Sequence, residues 1–204
     1  MEDINLWLAM NNGDQTALET IYRRYVNNLF SYGMRFSTNE QLVEDSIQDL
    51  FIELWIHRTN LGNTDSIIRY LMASLRRKII RKGQQDHRYT DLDDTTPYFE
   101  AELAFDEQWI AGQDAAAAAA KLQQALNALS ARQQEAIYLK YKEGLDYDDI
   151  CNIMELQYQS ARNLIAHAIQ KLRQLMDNLP TIILLGYLFM GFGWVQKPIP
   201  CLLY

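Results

Sequence analysis

Apolar residues recur at steps of three and four along almost the whole chain, the spacing that gives an α-helix one buried face. Residues 14–36 carry Leu18, Ile21, Tyr22, Tyr25, Leu29 and Tyr32 at these steps, behind Asp14 as an N-cap. The next stretch places Val43, Ile47, Leu50, Phe51, Leu54 and Trp55 on one face, after a Thr38/Gln41 pair with capping-box spacing. Leu61-Gly62-Asn63 breaks the chain, and Thr64 or Asp65 can cap a third helix running to about Lys82. Only 4 Pro and 9 Gly in 204 residues exclude a loop-rich all-β architecture. Apolar residues at 49% and charged residues at 22% describe a folded chain, not a disordered one.

The second half repeats the helical habit in shorter pieces. Ala115 to Ala120 begin a helix that continues into Leu122, Leu126 and Leu129, alanine being the best helix former. Ser130 and Gln133 form a capping box for a helix to about Lys142, and Gly144 is a natural terminator. Asp146 caps a short helix, Tyr147 to Met154, and Glu155-Leu156-Gln157 separate it from a longer one, Tyr158 to about Met176. Two helices joined by so tight a turn, the second basic and amphipathic, spell a helix-turn-helix. The expected architecture is all-α: a helical bundle over 10–83, an acidic linker over 84–114, a helix-turn-helix domain over 115–176 and an apolar tail over 177–204.

The net charge of −7 would argue against a nucleic-acid partner if it were evenly spread. It is not. Residues 84–114 hold nine acids and one base, a local −8 that leaves the remainder at +1. Residues 69–82 carry Arg69, Arg76, Arg77, Lys78, Arg81 and Lys82 with no acid, whereas 40–53 carry five acids and no base. Segregated charge of this kind creates local fields that select partners.

These fields suggest three surfaces. On the longer helix of the helix-turn-helix, Ala161, Leu164, Ile165 and Ala168 keep core spacing, which turns Gln157, Gln159, Ser160, Arg162, Asn163 and His167 outward. Gln and Asn pair bidentately with adenine and Arg with guanine in the major groove. Lys171 and Arg173 are placed for backbone phosphates. In the basic helix Tyr70 lies beside the cations, a combination suited to single-stranded DNA, where bases stack on rings and phosphates meet charge. The acidic helix would repel DNA, so it faces either solvent or a basic protein surface.

Nothing in the chain has the spacing of a catalytic or metal centre, and no cofactor is expected. His57, His87 and His167 fall in separate segments, His57 and Arg58 closing the acidic helix as cations do at a C-terminus. Cys151 sits among apolar positions as a buried thiol, and two cysteines fit a reducing cytoplasm. The acidic start (Met1, Glu2, Asp3) lacks the basic region of a secretory signal. Residues 178–196 have no charge, and Thr181 to Val195 are almost wholly apolar. That length is marginal for a membrane span. The tail therefore reads either as packed on the protein's own or a partner's helices, or as a membrane contact that leaves a membrane-proximal fraction.

The runs Ala17-Leu-Glu-Thr-Ile-Tyr-Arg-Arg-Tyr25 and Glu44-Asp-Ser-Ile-Gln-Asp-Leu-Phe-Ile-Glu-Leu-Trp55 resemble conserved region two of extracytoplasmic-function (ECF) sigma factors. Ser130-Ala-Arg-Gln-Gln-Glu-Ala-Ile-Tyr-Leu-Lys-Tyr-Lys-Glu-Gly144, with the helix-turn-helix to Arg173, is similar to their region four. The resemblance implies a non-enzymatic initiation subunit that directs core RNA polymerase to promoter DNA. It assigns Glu44, Asp45, Gln48, Asp49, Glu53 and Trp55 to the β′ clamp helices. Arg69, Tyr70, Arg76, Arg77, Lys78 and Arg81 fall to the −10 element and its melted strand, and the helix from Tyr158 falls to the −35 element, region four also touching the β flap. It implies an anti-sigma factor as a further partner, and a path for the acidic linker toward the RNA exit channel. The chain departs from the family pattern at Arg77, usually asparagine, at Glu155, usually glycine, and at Ala161 and His167, usually valine and arginine. A polymerase-independent helix-turn-helix regulator and a membrane-associated helical adaptor are the alternative readings.

Overall fold

The computed structural model describes residues 3–87, 98–103, 113–177, 180, 184–188 and 192, and these contain helices and no strand. The chain divides into two compact units, one within Met1–Asp94 and one within Thr95–Val195.

The first unit contains α1 (Asp3–Asn11), α2 (Gln15–Gly33), α3 (Glu40–Ile56) and α4 (Ile67–His87). Helix α1 is new relative to the sequence reading, which began this unit at about residue 10. Asp14 caps α2 as expected, its Oδ1 accepting from the Thr16 amide at 2.8 Å and the Ala17 amide at 3.3 Å. Bonds from the Thr16 hydroxyl and amide hold the Asp14 carboxyl below its usual range. Two expected caps move. Asn39 caps α3, accepting from the Leu42 amide at 3.2 Å, because the side chain immediately before the first helical residue reaches that N–H. Thr38 lies one residue too early, and Gln41 turns instead to Asp45 at 2.8 Å. At α4 the cap is Ser66, whose Oγ accepts from the Arg69 amide at 3.3 Å. Thr64 is spent on Ser66 and Asp65 on the Arg69 side chain. Helix α4 also passes through Gly83 instead of ending there; an interior glycine costs about 1 kcal/mol relative to alanine but does not break a helix.

The bundle core gathers Trp7, Met10, Ile21, Leu29, Tyr32, Val43, Leu71, Met72 and Leu75, all fully buried. At the end of α2 the helices approach so closely that a Cβ on Gly33 would stand 2.6 Å from Val43 Cγ1 and 3.2 Å from Ile79 Cδ1.

The second unit holds α5 (Gln113–Asn127), α6 (Ala131–Tyr141), α7 (Tyr147–Met154) and α8 (Tyr158–Leu175). The Ser130/Gln133 box is reciprocal, at 3.3 and 3.1 Å, and Gly144 takes φ +68°. Asp146 caps α7 by accepting from the Asp149 amide at 2.7 Å. The turn into α8 pivots on Glu155 in the left-handed region, φ +55° and ψ +53°. Ile150, Ile153, Ala161, Ile165, Ala168 and Leu172 seal α7 and α8 against α6.

Two segments outside these helices complete that core. Residues 98–103, expected as linker, lie along α5 and α6. The Ala101 amide donates to Gln134 Oε1 at 2.8 Å, its carbonyl accepts from Gln123 Nε2 at 2.9 Å, and Gln123 Oε1 accepts from the Leu103 amide at 2.8 Å. From the tail come Leu184, Leu188 and Phe192, all buried. Tyr138 meets rings on both sides, Phe99 at 5.8 Å and Phe192 at 5.7 Å, each edge-on. Among the described residues no helix is long and apolar enough to cross a membrane.

Candidate polymerase and promoter interfaces

Helix α3 buries Val43, Ser46, Ile47, Leu50, Phe51 and Leu54, which leaves an opposite face of Gln41, Asp45, Gln48, Asp49, Ile52, Glu53 and Ile56 exposed. Of the residues expected to meet a protein partner, Asp45, Gln48, Asp49 and Glu53 lie on this face. Glu44 is half-buried at its border. Trp55 is half-buried too, beneath the Arg58 guanidinium at 4.2 Å, while Arg58 Nη1 donates to the Trp55 carbonyl at 2.7 Å. The acids are not unopposed. Glu53 pairs with Lys78 at 2.5 Å and Asp49 with Lys82 at 2.9 Å. The bond from Lys82 holds the Asp49 carboxyl below its ordinary range.

Ile52 and Ile56, 57% and 61% exposed, went unremarked in the sequence. Their signal was available: both are out of phase with the stripe that runs through Val43, Ile47, Leu50 and Leu54.

The basic residues of α4 do not share one surface. Arg76 and Lys78 are buried, each at 7% exposure, and Lys78 and Lys82 serve the α3 acids. Arg69 is half-buried and pairs with Asp65. Tyr70 is half-buried, its ring edge-on to Trp7 at 5.0 Å. The face at steps of four, three and four contains Tyr70, Ser74, Arg77 and Arg81; both arginines are exposed, and Arg77 Nη2 donates to Ser74 Oγ at 3.3 Å. Composition predicts the charge of this helix, but only the packing of α3 separates its structural cations from its outward ones.

Helix α8 matches its sequence reading closely. Gln157, Gln159, Ser160, Arg162, Asn163, His167, Lys171 and Arg173 are all exposed, while Ala161, Ile165, Ala168 and Leu172 are buried on the other side. Gln159, Arg162, Asn163 and Ala166 fall on one outward strip. Gln159 Nε2 donates to Asn163 Oδ1 at 2.9 Å, and the Arg162 guanidinium lies 5.9 Å from the ring centre of Tyr158. Lys171 lies on a flank, donating to the Ala128 carbonyl at 2.5 Å beyond the end of α5. Tyr158, half-exposed at the first position of α8, is a neighbour of this strip that the sequence reading passed over. Cys151 is half-buried, not fully buried, and burial pushes its thiol pKa up, with Asp148 and Asp146 adding to the effect.

The family comparisons agree with this layout. The Sigma-70 region 2 model matches residues 21–88 and the Sigma-70, region 4 model matches residues 119–172. No curated protein matches the sequence. Among solved structures the chain is similar to the sigma factor RpoE from Bartonella quintana, crystallised with the anti-sigma factor NepR. Sequence identity is 19% and the TM-score 0.58, over 79% of this chain and 98% of that one. It is similar also to CnrH in complex with the cytosolic domain of CnrY, at 19% identity and TM-score 0.58, over 88% of this chain and all of that one. A two-unit helical protein with an acidic ridge, a basic helix and a helix-turn-helix, carrying both regions in order, is a transcription-initiation factor. The chain belongs to the sigma-70 family of RNA polymerase sigma factors.

Proposed function

We propose that the exposed ridge of α3 docks on the β′ clamp helices of core polymerase, that the Tyr70–Arg77–Arg81 face of α4 engages the −10 strand, and that α8 reads the −35 duplex. The observation that carries this reading is the two-sidedness of α8. Ala161, Ile165, Ala168 and Leu172 are turned into the unit, and the adenine- and guanine-pairing Gln159, Arg162 and Asn163 are turned out. In this assignment Gln157, Gln159, Ser160, Arg162, Asn163 and His167 meet base edges and nearby phosphates. Lys171 and Arg173 meet the backbone. Arg69 flanks the −10 face, Arg76 and Lys78 brace it from within, and Glu44 and Trp55 border the α3 ridge. The two units correspond to region two (10–83, extended by α1) and region four (115–176), with the stretch 84–114 between them and the tail 177–204 after them.

RpoE is bound by an anti-sigma factor and CnrH by the cytosolic domain of CnrY, which supports a protein regulator of the anti-sigma kind for this chain. The site of action is the cytoplasm, where polymerase works. Leu184, Leu188 and Phe192 are buried in the second unit, and this favours a packed tail over a membrane tether.

Transcription reconstituted from core polymerase, this chain and a genomic fragment library tests the reading. Arg162→Ala is expected to relax base choice in the −35 element, by about 1–3 kcal/mol of discrimination at one position. Lys171→Ala is expected to weaken all promoters alike. An unchanged −35 preference in Arg162→Ala would overturn the assignment of α8.

A further inference from the structure

Helix α1 precedes the residues matched to region two, yet it supplies the unit's largest fully buried side chain, Trp7 at 0% exposure. Its contacts converge on one place. Trp7 Nε1 donates to the Gly62 carbonyl at 2.9 Å, and Asn11 Nδ2 donates to the Leu61 carbonyl at 3.5 Å. Asp3 Oδ2 accepts from the Ile67 amide at 3.4 Å, at the start of α4, where the helix dipole favours a negative charge. The same carboxylate is fixed from α2, by the Tyr25 hydroxyl at 2.8 Å and Arg24 Nη1 at 2.9 Å. The Trp7 ring then meets Tyr70, one turn into α4.

Two points on the segment joining α3 to α4 are therefore held by α1: Leu61 and Gly62, just after the 3-10 turn Arg58–Asn60, and Ile67 at the start of α4. The stretch 61–66 is not helical, and Gly62, Asn63 and Asp65 are exposed. Thr64 and Ser66 brace its second half from within, which leaves Leu61 and Gly62 to be ordered from α1. Each contact that orders it beforehand removes an ordering cost that a ligand would otherwise meet on binding.

We propose that Trp7 and Asp3 are positioning residues for promoter opening. Through α1 they hold the 61–67 backbone, and with it the Tyr70–Arg77–Arg81 face, in the arrangement that takes the unpaired −10 strand. The inference rests on the assignment of that face to the −10 strand.

Trp7→Phe is the informative variant, because it keeps a ring against Tyr70 and fills most of the same space but offers Gly62 no donor. Three affinities are measured on holoenzyme reconstituted with the full chain: for core polymerase, for a −35 duplex, and for a single-stranded non-template −10 oligonucleotide from a promoter the wild type transcribes. The expected result is a loss of about threefold to tenfold for the single strand alone, the size of one hydrogen bond. In abortive initiation the promoter concentration at half-maximal rate should rise while the saturated rate holds. Asp3→Asn, which keeps an oxygen for the Ile67 amide, should show the same pattern more weakly. An unchanged single-strand affinity in Trp7→Phe, or equal losses in all three affinities, overturns the proposal, the latter revealing a general stabilising role. The double variant Arg77→Ala/Arg81→Ala separates the two levels. If the single strand still binds it normally, the α4 assignment fails and the proposal with it; if binding falls there but not in Trp7→Phe, only the positioning role fails.

Discussion

Glu155 holds a backbone conformation that its side chain disfavours. At φ +55° the Cβ of an L-residue crowds the following carbonyl, at a cost of about 1–2 kcal/mol, and the conformation cannot relax without altering the angle between α7 and α8. The glycine that the family resemblance places here would take this backbone conformation without strain. Glu155→Gly should raise the stability of the second unit by about 1 kcal/mol, seen as an upward shift of its thermal transition by several degrees. It should also strengthen −35 binding by removing a negative charge from the turn. Tyr25 gives the pH counterpart in the first unit. Burial first, and then the bond to Asp3, push its phenol up to about 12. A folded-state pKa above the unfolded value of 10 stabilises fully below pH 10 and is lost as pH rises toward 12. The first unit of the wild type should therefore lose stability across that window more steeply than Tyr25→Phe does, as measured by urea midpoints at each pH.

At the scale of elements, the helices were legible because their phase was clean. The stripe in α3 and the Ser130/Gln133 and Asp146 caps were readable residue by residue, and the outward strip of α8 followed from where Ala161, Ile165 and Ala168 had to go. What escaped were choices between neighbours of equal chemistry. Asn39 rather than Thr38, and Ser66 rather than Thr64 or Asp65, are decided by which side chain stands directly before the first helical residue. The basic helix misled for a related reason. Charge counts cannot tell that Lys78 and Lys82 turn toward Glu53 and Asp49 while Arg77 and Arg81 turn away. Helix α1 was missed because it has only nine residues and places apolar Ile4 and Leu8 outward as well as Leu6, Trp7 and Met10 inward, which leaves no polar face to mark a period. Tight packing between elements offers its own test. Val43 is β-branched and has one comfortable rotamer in a helix, so it cannot yield to a methyl group on Gly33. Gly33→Ala should destabilise the first unit by about 1–3 kcal/mol in denaturant unfolding, despite alanine's better helix propensity.

At the scale of the whole molecule, the two matched regions do not bound the folded units. Trp7 lies ahead of the first match, and Phe99 and Phe192 lie on either side of the second. Composition marked 84–114 as acidic, and correctly so, but a local charge does not stop Phe99 and Ala101 from finding Tyr138 and the glutamines of α5 and α6. Phe192→Ala should lower the stability of the second unit by about 3 kcal/mol in urea unfolding of the full chain, the cost of emptying a buried aromatic site. The edge-on ring contacts of Tyr138 also impose an order of events. Helix α8 is complete by Leu175, but the aromatic partner on one side of Tyr138 is residue 192, so a nascent chain leaving the ribosome must keep that tyrosine half-covered until synthesis has moved well past the DNA-reading helix. A translation pause in that interval would leave a greasy, association-prone surface on display, which gives a chaperone a defined window in which to hold the second unit.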